Sequence, residues 1–243
     1  MPGEILSYTV DGLSMRGELH APATGGKRPA VLVFPEIFGL GDHARGRAER
    51  IAAELGYAAL ACDLHGEGRV IADLEEARAL MAPLREDPRR IRARAEAALD
   101  ALRSRLEVDG ERIAAIGYCF GGTIALELAR GGANIAGVVG FHSGLATAAP
   151  EGARNIKGKV LVCIGADDPG IPPEQRAAFE EEMRNAGIDW QLHLYGGVVH
   201  SFTNPAADAM GRPEFARYNA DADHRSWTSM RDFLARIFGI VGG

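Results

Sequence analysis

The residues with the clearest chemical potential form the pentapeptide Gly-Tyr-Cys-Phe-Gly at residues 117–121. A buried-strand pattern ends just before it at Ile116, and a helical pattern begins near Gly122. Glycines two residues before and two residues after the centre are typical of a nucleophile elbow, whose turn leaves no room for a Cβ at either flanking position. Here the central residue is Cys119 instead of the usual Ser. The pattern predicts a thiol at the edge of a sheet, beside the positive end of a helix that favours the thiolate.

Two other interpretations of this segment are weaker. A dinucleotide-binding loop also joins a strand to a helix with glycines, but it needs Gly where Cys119 stands, so that the backbone can approach the pyrophosphate. An inert buried thiol is the other alternative, and it gives the flanking glycines no purpose. We therefore interpret Cys119 as a nucleophile.

A nucleophile elbow requires an acid and then a histidine later in the chain. The apolar run 160–164 leads into a Gly- and Pro-rich turn with Asp167 and Asp168, either of which could be the acid while the other is a turn residue or helix cap. The base is predicted to be His200, which follows a strand pattern and two glycines in a loop. The other histidines after Cys119 are set aside, because they lie upstream of the acid, within a strand or in the last helix (His142, His193 and His224).

A carboxylate, Glu36, stands just after the apolar run 30–34. The carboxyl end of a buried parallel strand is where ligands bind in open α/β sheets, although a solvated loop carboxylate is the alternative. The same loop predicts an oxyanion donor, the N–H of Ile37, beside the N–H of Phe120.

Other polar clusters carry less weight. The segment Asp-Leu-His-Gly-Glu-Gly at residues 63–68 also follows a strand, but its Gly spacing predicts a tight turn. Cys62 and Cys163 fall within apolar runs and are predicted to be packed thiols. Histidines and cysteines lack metal-ligand spacing, so we expect no metal site.

These residues must be positioned by alternating strands and helices. Apolar runs without polar alternation predict parallel strands buried on both faces at residues 30–34, 58–62, 113–116, 135–139 and 160–164. Helical periodicity covers residues 42–55, 74–81, 88–106, 123–130, 173–186 and 223–237. Asp11-Gly12 predicts a hairpin between residues 5–10 and 15–20. The pattern predicts an α/β fold with a mostly parallel central sheet, an N-terminal antiparallel hairpin and helices on both faces.

Composition limits the class of protein. The 243 residues carry 27 basic and 33 acidic side chains, and the net charge of −6 disfavours a nucleic-acid or anionic-membrane partner. No run approaches the roughly 18 apolar residues of a membrane span, and the first residues lack a signal-peptide pattern. Three cysteines form no disulfide framework, as is usual in a reducing compartment. We expect a single cytoplasmic domain over residues 1–243.

Four segments together resemble the dienelactone hydrolase (carboxymethylenebutenolidase) family, and they occur in the family's order: residues 35–39, 117–122, 165–172 and 200–202. The resemblance implies an α/β-hydrolase fold with a triad of Cys119, His200 and Asp168. It also implies that Glu36 contacts the resting thiol and takes part in forming the thiolate. The implied activity is hydrolysis of an enol lactone through an acyl-enzyme, without a cofactor.

The chain departs from this family at one position. Family members carry an Arg four residues after the catalytic His that pairs with the substrate carboxylate, and here that residue is Asn204. We therefore expect weaker preference for an anionic dienelactone and better acceptance of neutral lactones or esters, unless an arginine such as Arg217 or Arg225 supplies the charge. The stretch 210–225 is expected to remodel the pocket. Substrate contacts are predicted at four residues within or beside these motifs, Phe38, Ser201, Phe202 and Asn204.

The predicted function is a cysteine-dependent hydrolase of lactones or small esters, monomeric or weakly dimeric, with a small-molecule substrate as its partner. The same residues also fit a general carboxylesterase or thioesterase. An alternative from another class is a non-catalytic ligand-binding or thiol-sensing protein, in which the elbow cysteine oxidises reversibly instead of acylating.

Overall fold

The computed structural model describes residues 3–23 and 25–240. Over these residues the strands are β1 (Glu4–Val10), β2 (Leu13–His20), β3 (Arg28–Phe34), β4 (Ala58–Ala61), β5 (Val108–Tyr118), β6 (Gly137–Phe141), β7 (Lys159–Gly165) and β8 (Trp190–Tyr195). The α-helices are α1 (Asp42–Leu55), α2 (Leu74–Glu86), α3 (Pro88–Arg103), α4 (Phe120–Arg130), α5 (Pro173–Ala186) and α6 (Ala220–Ile237). Short 3₁₀ helices cover Pro150–Asn155 and Pro205–Met210.

The strands form one sheet with the order β1-β2-β4-β3-β5-β6-β7-β8. β1 pairs antiparallel with β2, β2 pairs antiparallel with β4, and the remaining neighbours are parallel. The hairpin turns at Asp11 and Gly12, whose φ angles of 51° and 73° are those a two-residue turn between twisted strands requires. The predicted α/β fold, with a mostly parallel sheet and an opening hairpin, is confirmed.

Several predicted boundaries differ from the structure, and those of β6 and α4 are two examples. β6 covers Gly137–Phe141 instead of residues 135–139, because its register pairs Gly137 with Ala114 of β5 and with Lys159 of β7. α4 begins at Phe120, three residues earlier than its periodicity indicated, since the helix starts directly after Cys119.

Apolar side chains fill both faces of the sheet. Alternate residues of β3 show the division: Val31 and Val33 pack with α1 and α6, while Leu32 and Phe34 pack with α2 to α5. Burial on both faces explains why the strands read as unbroken apolar runs. Among the described residues, no helix has the length and apolar character that crossing a bilayer would need.

The parallel register brings three loops to one edge of the sheet. Phe34 of β3 is level with Gly117 of β5, and Tyr118 is level with Phe141 of β6. Phe141 is in turn level with Cys163 of β7. The segments that follow β3, β5 and β7 therefore meet at their carboxyl ends, where side chains from distant parts of the sequence converge.

Candidate active site

The elbow after β5 holds Cys119 in a conformation that few non-glycine residues adopt, with φ 55° and ψ −121°. The flanking glycines explain how this turn is closed. A Cβ on Gly117 would lie 2.1 Å from the carbonyl carbon of Gly121, and a Cβ on Gly121 would lie 2.3 Å from the carbonyl oxygen of Phe34. Both positions therefore require glycine, and the turn presents a half-buried Cys119 to a cavity.

His200 and Asp168 lie together beside that cysteine. Nδ1 of His200 is 2.7 Å from Oδ2 of Asp168, and both side chains are buried. The other carboxylate oxygen of Asp168 accepts the N–H of Gly170 at 2.8 Å. Asp167 is exposed to solvent, so the structure brings Asp168 to the histidine and leaves its neighbour in the turn.

The electrostatics of His200 follow from these neighbours. Burial alone would lower its pKa, but the charge of Cys119, its hydrogen bond to Cys119 and the Asp168 carboxylate outweigh burial and hold the pKa of His200 well above its usual value. Because Nδ1 is bonded to Asp168, Nε2 is the nitrogen that meets the thiol. This arrangement stabilises the charged form of the imidazole.

Glu36 is buried instead of solvated, with 9% of its surface exposed. Its oxygens accept hydrogen bonds from the Ser201 hydroxyl at 3.0 Å and from the Asn204 amide at 2.6 Å. Burial raises the pKa of Glu36, and these two donors offset only part of that effect. The hydrogen bonds found for the carboxylate within the described chain thus come from the loop of His200, whereas the resemblance implied a contact with the resting thiol.

The predicted oxyanion donors, Ile37 and Phe120, both line the cavity with Cys119. Phe120 is the first residue of α4, where a helix leaves its N–H free of the backbone ladder. The loop of Ile37 is held by His65, which donates from Nε2 to the Ile37 carbonyl oxygen at 2.8 Å. Asp63 stabilises the turn at His65, because its carboxylate accepts the backbone N–H of His65 at 3.0 Å.

The contact made by His65 was missed from the sequence. The Gly spacing of residues 63–68 correctly indicated a tight turn, and Asp63 is the side chain that closes it. The signal that could have found His65 is topological, because β4 is the parallel neighbour of β3 and their carboxyl ends adjoin.

The cavity has a volume of about 520 Å³, and two of the four residues predicted to contact the substrate line it. Phe38 and Ser201 line it, whereas Phe202 and Asn204 do not. Phe202 is fully buried in the α1–α6 side of the core, against Tyr195. Asn204 donates to Glu36, and its Oδ1 caps the following 3₁₀ helix through the N–H of Ala206, so both ends of the amide are occupied.

Four side chains that were not predicted individually also line the cavity. α2 contributes two arginines, and the segment after the 3₁₀ helix Pro205–Met210 contributes two further side chains: Arg78, Arg85, Arg212 and Phe215. Phe215 packs against the His200 ring with centroids 5.4 Å apart.

The segment that returns from Met210 is attached to His200 by backbone hydrogen bonds. The N–H of His200 donates to the carbonyl of Phe215, and the N–H of Arg217 donates to the carbonyl of His200. Neither Arg217 nor Arg225 lines the cavity; Arg225 pairs with Asp221 on the surface of α6. Part of the 210–225 stretch therefore shapes the pocket, but with other side chains than expected.

Comparison with known proteins agrees with this geometry. A structure described as m3DLH is 50% identical, with a TM-score of 0.92 and coverage of 97% of this chain and 98% of that chain. A dienelactone hydrolase-like promiscuous phosphotriesterase from metagenomic libraries is 44% identical, with a TM-score of 0.92 and 98% of each chain covered.

Among curated sequences, a putative carboxymethylenebutenolidase of Methylorubrum extorquens is 29% identical over 90% of this chain and 76% of its own length. The model of the Dienelactone hydrolase family matches residues 15–238. That match includes Cys119, Asp168 and His200, and the chain belongs to the dienelactone hydrolase family of carboxylic ester hydrolases.

Proposed function

We propose that this hydrolase cleaves lactones or small carboxylic esters through an S-acyl intermediate on Cys119. The observation that carries the proposal is the arrangement of three side chains: Cys119 and His200 line the cavity, and Asp168 lies 2.7 Å from the imidazole of His200. A histidine beside a cysteine activates the sulfur as a nucleophile by stabilising the thiolate form.

Acylation proceeds by attack of the Cys119 sulfur on the substrate carbonyl carbon. A C–S bond forms, and the carbonyl oxygen becomes an oxyanion held by the N–H groups of Ile37 and Phe120. Each such donor contributes about 3–4 kcal/mol in related chemistry. The C–O bond to the leaving group then breaks, and His200 gives its proton to the departing oxygen. In a lactone this oxygen stays tethered to the acyl chain.

Deacylation reverses the proton movements. His200 takes a proton from water, the hydroxide attacks the thioester carbonyl, and the C–S bond breaks. The sulfur leaves as a thiolate beside the newly formed imidazolium, which restores the starting pair. Asp168 holds the imidazole in the tautomer that keeps Nε2 available and stabilises the imidazolium in both steps.

Glu36 takes part in forming the thiolate. Its raised pKa brings the carboxyl closer to the range in which it can exchange a proton with a thiol, and Ser201 and Asn204 keep it at the cavity wall.

The test is to mix the protein with an activated phenyl ester and to measure its intact mass within one turnover. An added acyl mass on the parent that is absent from Cys119→Ala supports the proposal. Sulfenate or mixed disulfide as the only modification of Cys119 supports the thiol-sensing alternative instead. Substantial esterase activity in Cys119→Ala would refute the assignment. The same measurement should be made with general esters and acyl thioesters, because the same residues could hydrolyse those substrates.

A second candidate activity is hydrolysis of phosphotriesters. The observation that favours it is the 44% identity, over 98% of both chains, with the metagenomic enzyme described as a promiscuous phosphotriesterase. The same thiolate would attack phosphorus and displace an aryloxide, which leaves an S-phosphoryl group on Cys119. Release of p-nitrophenolate from a neutral triester, lost in Cys119→Ala, tests this activity.

A further inference from the structure

His142 occupies a strained position directly behind the nucleophile. It follows the last residue of β6 and has a φ of 39°, a region that non-glycine residues rarely adopt. Its side chain is completely buried. Strain of this kind persists only where the surroundings fix the residue, and it is often found at functional sites.

Both ring nitrogens of His142 are bonded. Nδ1 accepts the backbone N–H of Cys119 at 3.2 Å, a donor that is shared with the carbonyl of Phe141 at 3.0 Å. Nε2 lies 2.9 Å from the hydroxyl oxygen of Thr203. Because Nδ1 is the acceptor, Nε2 carries the proton and donates it to Thr203.

The loop of Thr203 is the one that carries the base. Within five residues it supplies His200, the two donors to Glu36 and the partner of His142. The Thr203 carbonyl accepts a hydrogen bond from Arg47, which is itself paired with Asp223 of α6 at 2.8 Å. The loop is thus anchored from behind by α1 and α6.

The imidazole of His142 stays neutral in this position. Burial lowers its pKa well below the usual value, and the nearby His200, His43 and Arg47 add to the effect. With no accessible surface and both nitrogens occupied, the ring has no route to a substrate. It meets His200 edge to face, with centroids 5.2 Å apart.

We infer that His142 is a positioning residue that joins the nucleophile elbow to the base loop and thereby fixes the spacing between the Cys119 sulfur and Nε2 of His200. The inference rests on the proposed cysteine mechanism and deepens it. One ring holds the peptide of the nucleophile at one nitrogen and the loop of the base at the other. Misplacement of reacting groups by about 1 Å can cost on the order of a hundredfold in rate.

The experiment removes the bond to Thr203 alone and then both bonds of His142 together. Thr203→Val removes the hydroxyl with little change in volume, whereas Thr203→Ser keeps it. His142→Phe keeps a buried ring without either nitrogen, and His142→Asn keeps an acceptor near Nδ1 in a residue that tolerates positive φ. The readouts are kcat and KM for an activated phenyl ester, and the rate at which iodoacetamide alkylates Cys119 at fixed pH.

We expect Thr203→Val and His142→Phe to lower kcat by about ten- to a hundredfold with little change in KM, and to slow alkylation of Cys119 in the folded protein. Thr203→Ser should stay close to the parent, and His142→Asn should recover part of the loss. His193→Asn is the matched control, because His193 is bonded to Ser229 at 3.2 Å on β8, away from the site. It should leave both readouts unchanged.

Folded Thr203→Val with kcat and alkylation rate within twofold of the parent would overturn the inference, as would equal losses in Thr203→Ser and Thr203→Val. If His142→Phe does not fold, the Thr203 pair decides. Failure of the proposed function is distinguishable, because it appears as activity that survives Cys119→Ala, while alkylation still reports the spacing of the thiol and the base.

Discussion

Replacing Asp168 by Asn should remove most of the turnover while leaving the fold intact. The structure determines how the new amide would be oriented. The Oδ1 position of Asp168 accepts the N–H of Gly170 at 2.8 Å, so the oxygen of the introduced amide would keep that place and its NH₂ would face His200. A donor would then meet Nδ1, where the carboxylate now accepts at 2.7 Å.

The magnitude follows from this reversal. Facing an NH₂ group, the imidazole must carry its proton on Nε2, and it can then no longer accept the thiol proton. The imidazolium also loses a buried anion at hydrogen-bond distance. In a triad of this type the wrong tautomer lowers kcat by about 10⁴-fold, which corresponds to about 5.5 kcal/mol. The Gly170 bond is preserved, so the melting temperature should change little.

The assay measures kcat and the acylation rate for an activated phenyl ester in the parent and in two variants. Asp167→Asn is the matched control, since it makes the same change one residue away on an exposed side chain. It should stay near the parent. Asp168→Asn that keeps more than a tenth of the parental kcat, or Asp167→Asn that falls as far, would refute the reasoning.

Three further predictions concern pH, the elbow and substrate charge. Burial raises the pKa of Glu36 above its ordinary value of 4.5, so the folded state binds this proton more tightly than the unfolded state. The contribution of this proton to the free energy of unfolding is lost as the pH rises from 4.5 through the folded-state pKa. Urea unfolding should therefore show the parent losing stability relative to Glu36→Gln as the pH rises above about 4.5; a difference that does not change with pH would contradict this. Gly121→Ala should lower the free energy of unfolding by about 3 kcal/mol or more, because its Cβ would lie 2.3 Å from a backbone carbonyl oxygen. Gly196→Ala is the control: its Cβ would have no atom within 4 Å, and it should change the free energy of unfolding by less than about 0.5 kcal/mol. The Asn204 amide donates its hydrogen bond to Glu36 and is not available to a substrate carboxylate. The neutral methyl ester of a dienelactone should therefore be hydrolysed with kcat/KM at least equal to that of the anion. A strong preference for the anion that Arg85→Met abolishes would oppose this prediction.

The sequence predicted those parts of the site that depend on backbone geometry. The glycines around Cys119 could be interpreted because a turn of that tightness excludes every other residue at both positions. Asp11-Gly12 predicted the hairpin for a similar reason, since both residues adopt positive φ. Steric requirements of this kind act over a few residues, and they are therefore visible in the sequence.

Side-chain direction in the base loop could not be predicted in this way. Ser201 has a φ of 52°, which turns the chain so that His200 and Ser201 face the cavity while Phe202 enters the core. Proximity to His200 in the sequence consequently said nothing about proximity to the substrate. His65 and His142 were passed over for a related reason, because their contacts join segments that the sheet brings together from far apart.

The segment that returns from Met210 to pair with His200 has a consequence for how such an enzyme can diverge. Its attachment to the base uses backbone groups of Phe215 and Arg217, and these bonds persist whatever side chains stand there. Natural variation or a mutational library can therefore exchange Arg212 and alter which substrates fit while these backbone bonds and the contact of Phe215 with the His200 ring remain. An insertion between Arg212 and Arg217 would shift the register of these bonds and displace His200.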